Sequence, residues 1–233
     1  MSGTYQFGAF RGRKLSQERG TIGGARSVFV KLQGIKNQLV YPTFGGQIKN
    51  PFKAGGKFFA GDLCYYKTDE NGVNPEIYIL KTFKVANKVT TSATIEIEND
   101  GYRHKPCVGD KIGKAPTEVG GAITTTLTII GVVSSANKWT ITVDSETSLA
   151  KGDILVESDG SKMLVKGINA VVDSDIDILD TPSTSDAEFD GAKYFYTPAL
   201  GGIMYTNKMS PIPSCVLKLN QSKINGWFQI QSV

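Results

Sequence analysis

The amino-acid sequence predicts an all-β fold: an antiparallel sandwich or barrel of short strands, with an extended N-terminal arm and a short C-terminal helix. Three observations carry this. A Gly-Asp pair opens an apolar run at Gly61-Asp62, Gly109-Asp110 and Gly152-Asp153, each time with an apolar residue three positions after the glycine: Cys64, Ile112 and Leu155. Glycine is sterically free and the aspartate side chain can bond nearby backbone amides, so each pair bends the chain into a strand. The pairs are unequally spaced, which argues against a solenoid or propeller. Tight-turn signals at Asn71-Gly72, Asp100-Gly101 and Asp159-Gly160 separate further runs, because Asp-Gly and Asn-Gly accept the positive φ values of hairpin turns. Finally, "ITTTLTIIGVV" and "KWTITVDS" are dense in the β-branched residues that suit a pleated surface.

Taken in order, residues 1–37 read as an extended basic arm. Glycines are scattered through them, no period is sustained, and seven Lys/Arg face one acid, Glu18. Tyr5, Phe7 and Phe10 are its candidate anchors on a partner surface, since aromatics supply much contact energy per residue ordered. Arg11, Arg13 and Arg19 would select an acidic partner. The β domain is expected over residues 38–205. "LVYPTF" and residues 57–66 read as strands, and residues 76–85 as one strand covered on both sides at its centre, with Ile77, Ile79 and Lys81 on one face and Tyr78, Leu80 and Thr82 on the other. In "SATIEIENDGYRHKP", Ile95 and Ile97 alternate with Thr94, Glu96 and Glu98 ahead of Asp100-Gly101, which predicts a hairpin. "KAPTEVGGA" is a loop by its Pro and Gly-Gly content. Residues 149–168 hold a second hairpin, residues 154–157 turning at Asp159-Gly160 into residues 162–166. "AVVDSDIDILD" and "KYFYTPAL" follow, separated by the polar "TPSTSDAEFDG". Residues 206–233 should pack on the domain as a helix and a strand. The helix begins near Pro211 to Ser214 and ends at Asn225-Gly226, with Pro in its first turn and Gly past its end. Val216, Leu217 and Leu219 would face the domain, and "WFQIQSV" would add the strand.

Composition bounds the function. A chain of 233 residues buries enough surface to fold without disulfide or metal. Cys64, Cys107 and Cys215 are odd in number and never form a Cys-x-x-Cys pair, so they read as small apolar fillers. No apolar run reaches the length of a membrane span and no signal segment opens the chain, so the protein reads as soluble and made in a cytoplasm. Residues 1–60 carry ten Lys/Arg against Glu18 alone, while residues 144–190 carry twelve Asp/Glu against three Lys. Such an acidic stretch would repel a phosphate backbone, and no RNA-recognition signature is present, so nucleic acid is an improbable partner.

Catalysis finds little support in the sequence. His104 is the only histidine, and its neighbours Arg103 and Lys105 oppose the protonation that a general base must undergo, so it reads as a surface or turn residue. No nucleophile elbow, phosphate loop or dinucleotide fingerprint occurs. Asp173, Asp175 and Asp177 share one face of a strand at period two and could in principle hold Ca²⁺. The Gly and closing Glu of a calcium loop are missing, and like charges also keep an edge strand from pairing. No metal, cofactor or catalytic residue is assigned.

The segments "FKAGGKFFAGDLCYY", "HKPCVGDKIGKAP", "SLAKGDILVESDG" and "GGIMYTNKMSPIPSCVLKLN" together resemble auxiliary head proteins of tailed bacteriophages, meaning capsid decoration or head-fibre proteins, including those of crAss-like phages of gut hosts. The resemblance implies a structural protein on the outside of the capsid, bound to the major capsid protein through an extended arm and without enzymatic activity. It also implies a homo-oligomer, a trimer or a dimer with the trimer preferred, because such proteins gather at symmetry axes. No site residue is carried over from the family. A carbohydrate-binding or depolymerising head appendage is the alternative, and a nucleic-acid-binding protein ranks third.

Overall fold

The computed structural model describes residues 42, 45–51, 57–68, 75–99, 103–177, 195–200, 202–205, 209–219 and 228–231. In chain order its elements are β1 (Gly46–Ile48), β2 (Lys57–Phe58), β3 (Leu63–Lys67), β4 (Glu76–Ile79), β5 (Thr82–Lys84), β6 (Val89–Glu98), β7 (Lys111–Lys114), β8 (Leu127–Ser134), β9 (Lys138–Leu149), β10 (Ile154–Glu157), β11 (Ala170–Val171), β12 (Ile176–Asp177), β13 (Phe195–Tyr196), β14 (Gly202–Tyr205), α1 (Ser214–Leu217) and β15 (Phe228–Gln231). The expected all-β class is what forms. A five-stranded sheet has the order β11-β3-β4-β1-β13 and a six-stranded sheet the order β5-β10-β7-β8-β9-β6. Most pairings are antiparallel, but β1 with β4 and β14 with β15 run parallel. A parallel pair needs a long crossover. Here β2 and β3 lie in one connection and α1 in the other.

The six-stranded sheet closes on itself. Its end strands meet through a bridge between Val85 and Ile97 and through the Ala86 N–H, which donates to the Glu96 carbonyl at 2.9 Å. Strand alternation fills the space enclosed. The register Ile95↔Ile141 and Ile97↔Trp139 places those four buried side chains on one face, where they join Phe83, Ile112, Leu127, Ile129, Val143 and Leu155. This contact covers the edge of β6 at Glu96 and Ile97, part of what an open sheet would leave unpaired. A second core lies between the barrel and the five-stranded sheet: Leu63 of β3 and Val171 of β11 pack with Val156 of β10, Met163, Val165, Ile168, Cys215 and Val216. A third, with Ile48, Cys64, Ile77, Ile79 and Ala170, covers the other side of that sheet.

Several elements depart from expectation. Residues 76–85 are two strands in different sheets, because the Leu80 N–H still bonds the Leu63 carbonyl of β3 while the Lys81 carbonyl already accepts from Glu157 at the end of β10. The expected burial at the centre holds, since Ile79, Leu80, Lys81, Thr82 and Phe83 are all buried. β6 pairs with β9 rather than with the residues that follow Asp100-Gly101, and Asp100-Gly101 and Asn71-Gly72 lie outside the described residues. The turn after β10 forms one residue later than read. The Asp159 N–H donates to the Lys162 carbonyl at 3.0 Å, so Gly160, with φ of 118°, and Ser161 span the loop. The chain returns antiparallel as expected, with a bridge between Ser158 and Met163 and the Leu164 N–H on the Glu157 carbonyl, but residues 162–166 do not extend into a full strand, since Lys162 and Met163 also bond Ala122 and Gly121. The helix is a single turn that tightens at Leu219, whose N–H bonds Val216. Val216 is buried and Leu219 packs on the core, but Leu217 is exposed. Residues 220–227, where the helix was expected to continue, lie outside the described set. The final strand forms as β15.

Candidate functional site

The three Gly-Asp turns are built alike. In each, the aspartate N–H donates to the carbonyl three residues back, Asp62 to Phe59, Asp110 to Cys107 and Asp153 to Ala150. The carboxylate in turn accepts the N–H of that same residue, at 2.6, 2.8 and 2.9 Å. Gly61, Gly109 and Gly152 have φ of 95°, 89° and 86°, which is the third position of a type II turn and excludes side chains at low cost. Cys64, Ile112 and Leu155, three residues after each glycine, are completely buried. The turns differ in what else reaches the carboxylate, and that difference makes the site.

Asp62 and Asp110 are buried where the barrel meets the five-stranded sheet. Asp62 accepts from the Ser210 hydroxyl at 2.6 Å and from His104 Nε2 at 2.8 Å. Burial opposes ionisation of this carboxyl, but His104, Ser210 and the Phe59 amide together outweigh it and hold Asp62 below the usual range. Nδ1 of His104 lies 3.1 Å from the Thr82 amide nitrogen and 3.3 Å from its carbonyl oxygen. A neutral ring can accept from the first and an imidazolium can donate to the second. Phe58 and Phe59 wall the ring. The expectation of a surface or turn histidine is therefore wrong: the side chain is fully buried, because a carboxylate and a backbone peptide satisfy both nitrogens and offset the desolvation.

Beside it, Lys81 donates to Asp110 at 2.7 Å. Burial works against the ammonium, yet Asp110 and Glu157 raise its pKa above the ordinary lysine value. Glu157 accepts from Asn50 at 2.7 Å, and Asn50 also clamps both the N–H and the carbonyl of Ile79. Burial pushes the Glu157 carboxyl up to about 7 against the opposing pull of Lys81, with Asp110 adding to the rise. Asp110 Oδ1, Glu157 Oε1 and Thr82 Oγ1 are buried without a partner. Sequence reasoning missed Lys81, Glu157 and Asn50 as a group. The signal was present in a lysine inside the otherwise apolar "EIYILKTFKV" and a glutamate closing "ILVE".

Ser210 bonds Asp62 and not His104, whereas a serine nucleophile needs the base at its own hydroxyl. Burial also raises the pKa of the Cys64 thiol well above the usual value and that of Cys215 to a lesser degree, which suppresses the thiolate a nucleophilic cysteine requires. None of the three cysteines forms a disulfide. Among the described residues no group of three His, Cys, Asp or Glu side chains could hold a metal ion. Asp173 instead accepts the Tyr196 hydroxyl, and Asp175 accepts the Ala60 N–H at 3.0 Å and pairs with Lys57 at 3.7 Å. Asp177 is a backbone partner of Lys57 in the β2–β12 pair. Asp173 and Asp175 do not share a face, because the chain bends between Val171 and Ile176 and hands the two carboxylates to different neighbours. The arm residues Tyr5, Phe7, Phe10, Arg11, Arg13 and Arg19 lie outside the described residues.

A small depression lined by Asp62, Thr82, Met209 and Ser210 among others adjoins the buried cluster. Away from it, a groove of about 440 Å³ lies beside the barrel, lined by Lys114, Thr117, Thr124, Thr125, Thr147 and Ser148 among others. Its one cation, Lys114, is held by Asp153 at 2.9 Å. No described helix is long and apolar enough to cross a membrane. No protein-family model, curated protein or solved structure matches the chain.

Proposed function

We propose that the protein is a structural component of a virus particle: an auxiliary protein on the outside of a tailed-phage capsid, bound to the major capsid protein and without catalysis. The observation that best supports this reading is the use made of reactive side chains. The sole histidine and the buried Lys81, Asp62, Asp110 and Glu157 bond one another, Asn50 and the backbone where barrel and sheet meet, and the barrel they brace would serve as a platform. The charge asymmetry fits such a platform with a basic segment, residues 1–37, that docks on an acidic surface. Exposed ion pairs contribute roughly 1 kcal/mol or less each, while ordering each residue of an arm costs about 1–2 kcal/mol. Buried aromatics must supply the difference, and Tyr5, Phe7 and Phe10 are the available ones.

The test is occupancy on purified particles, measured by quantitative mass spectrometry after exchange of wild-type protein for variants. Tyr5→Ala, Phe7→Ala and Phe10→Ala combined should abolish incorporation, and Arg11, Arg13 and Arg19 changed to Gln should slow it and make it less sensitive to salt. Full occupancy by the triple aromatic variant would refute the arm as anchor, and absence of the wild-type protein from particles would refute the function. The hydroxyl-lined groove supports a second reading, a glycan-binding head appendage. Glycan arrays and hydrolysis assays on host polysaccharide should be blank under the first reading and positive under the second.

A further inference from the structure

Of the four large apolar side chains that stand exposed among the described residues, three belong to one stretch of surface: Val108 (56% exposed), Ile130 (57%) and Val133 (69%). The backbone connects them. β8 pairs with β7 at Leu127 and Thr128, and its next residue, Ile129, exchanges hydrogen bonds with Gly109 and Asp110 of the turn that carries Val108. Beyond that point β8 is bonded on one side only, to β9, through Gly131↔Thr142, Val132↔Ile141, Val133↔Thr140 and Ser134↔Trp139. No described residue bonds its other side. A register shift between Ile129 and Gly131 marks a bulge, and Ile130 within it stands exposed while Ile129 points into the barrel.

Edges of this kind are templates for another strand, and proteins that must stay apart blunt them with charged side chains, proline or bulges; the bulge here sits at the start of the edge, and Gly131 to Ser134 run on beyond it in regular register. Residues 130–137, "IGVVSSAN", contain no charged residue and no proline. The nearest charge on the neighbouring strand, Lys138, is neutralised by Glu96 at 2.9 Å. We propose that the open edge of β8 is a self-association site, at which a second copy of this chain adds its own residues 130–134 antiparallel across a two-fold axis. Charge selects this occupant. A two-fold contact sets a strand against itself, so any net charge would repel its own image, whereas a neutral, β-branched edge meets a neutral, β-branched edge. A basic segment such as residues 1–37, or an acidic one, would find no counter-charge there. The inference goes beyond the capsid reading and does not depend on it.

Two measurements on the full chain in solution test this. Sedimentation equilibrium should show a monomer–dimer equilibrium, and the amides of residues 130–134 that face away from β9 should gain protection from hydrogen exchange as concentration rises. Val133→Lys and Ile130→Lys alter exposed positions, so the circular dichroism spectrum and melting temperature should be retained. Each should weaken the dimer by about tenfold or more, because like charges then lie across the axis. A chain that stays monomeric with those amides exchanging freely overturns the proposal. So does a dimer indifferent to both lysines, and so does protection of residues 130–134 that is independent of concentration, which would mean that the edge is covered from within the chain.

Discussion

Glu157 is the residue whose environment most changes its chemistry. It lies on β10, facing Lys81 from the β4–β5 crossing, Asp110 from the turn before β7, His104, and Asn50 after β1. A carboxyl raised by burial from 4.5 to about 7 keeps a proton in the folded protein that the unfolded chain has released. Stability contributed by that proton is complete below the unfolded value and disappears as pH rises through about 7. At 1.36 kcal/mol per pKa unit the change amounts to roughly 3 kcal/mol. Asp62 acts in the opposite sense: its depressed pKa stabilises above the unfolded value of 3.8 and is lost as pH falls through the folded one. Stability should therefore peak in mildly acidic solution. Glu157→Gln, which mimics the protonated carboxyl, should flatten urea-derived stability between pH 4.5 and 7 and exceed wild type above that window. A variant that declines with pH as wild type does would show that another group titrates.

At the scale of elements, one turn motif occurs three times with unequal consequences. Asp153 stabilises its turn at the surface, where its side chain is 16% exposed and pairs with an exposed Lys114. Asp62 performs the same backbone task in the interior, with His104 and Ser210 added. Asp153→Ala should cost about 1 kcal/mol, the net value of a local hydrogen bond and an exposed ion pair. Asp62→Ala should cost roughly 3–5 kcal/mol, because it strands the Phe59 amide, the Ser210 hydroxyl and the His104 ring in the interior. Chemical denaturation of the two variants side by side checks the ranking, and equal costs would mean that the buried partners rearrange to satisfy one another.

The whole molecule depends on the core that barrel and sheet share. Met163 is fully buried there, on a segment that bridges Ser158 across the turn and bonds Gly121 on its other side. Met163→Ala should cost about 2–5 kcal/mol as a large-to-small core substitution. In a Trp227→Phe background, the fluorescence of Trp139 inside the barrel and amide exchange at β3 and β4 should report the same loss of stability if the shared core makes one cooperative unit. Separate transitions would instead show that the two parts fold independently.

Local chemistry was legible in the sequence. The three Gly-Asp turns, the period-two burial of Ile95 and Ile97, the strands that form within "ITTTLTIIGVV" (from Leu127 on) and "KWTITVDS", the cysteines as fillers and the strand at "FQIQ" all follow from residues a few positions apart, where steric freedom, β-branching and period two decide conformation. Only tertiary structure decided which strands pair and what the charges do. Residues 76–85 read as one strand because alternation does not reveal that Leu80 bonds one sheet and Lys81 the other. His104 read as exposed because its sequence neighbours are cations, but its spatial neighbours are Asp62, Thr82, Phe58 and Phe59, drawn from 22 to 46 residues away. The solvation of a charged or polar group is set by what surrounds it in three dimensions, so the buried seam of Asp62, Lys81, His104, Asp110 and Glu157, and the edge of β8 that no described residue pairs, could be read only after the chain had folded.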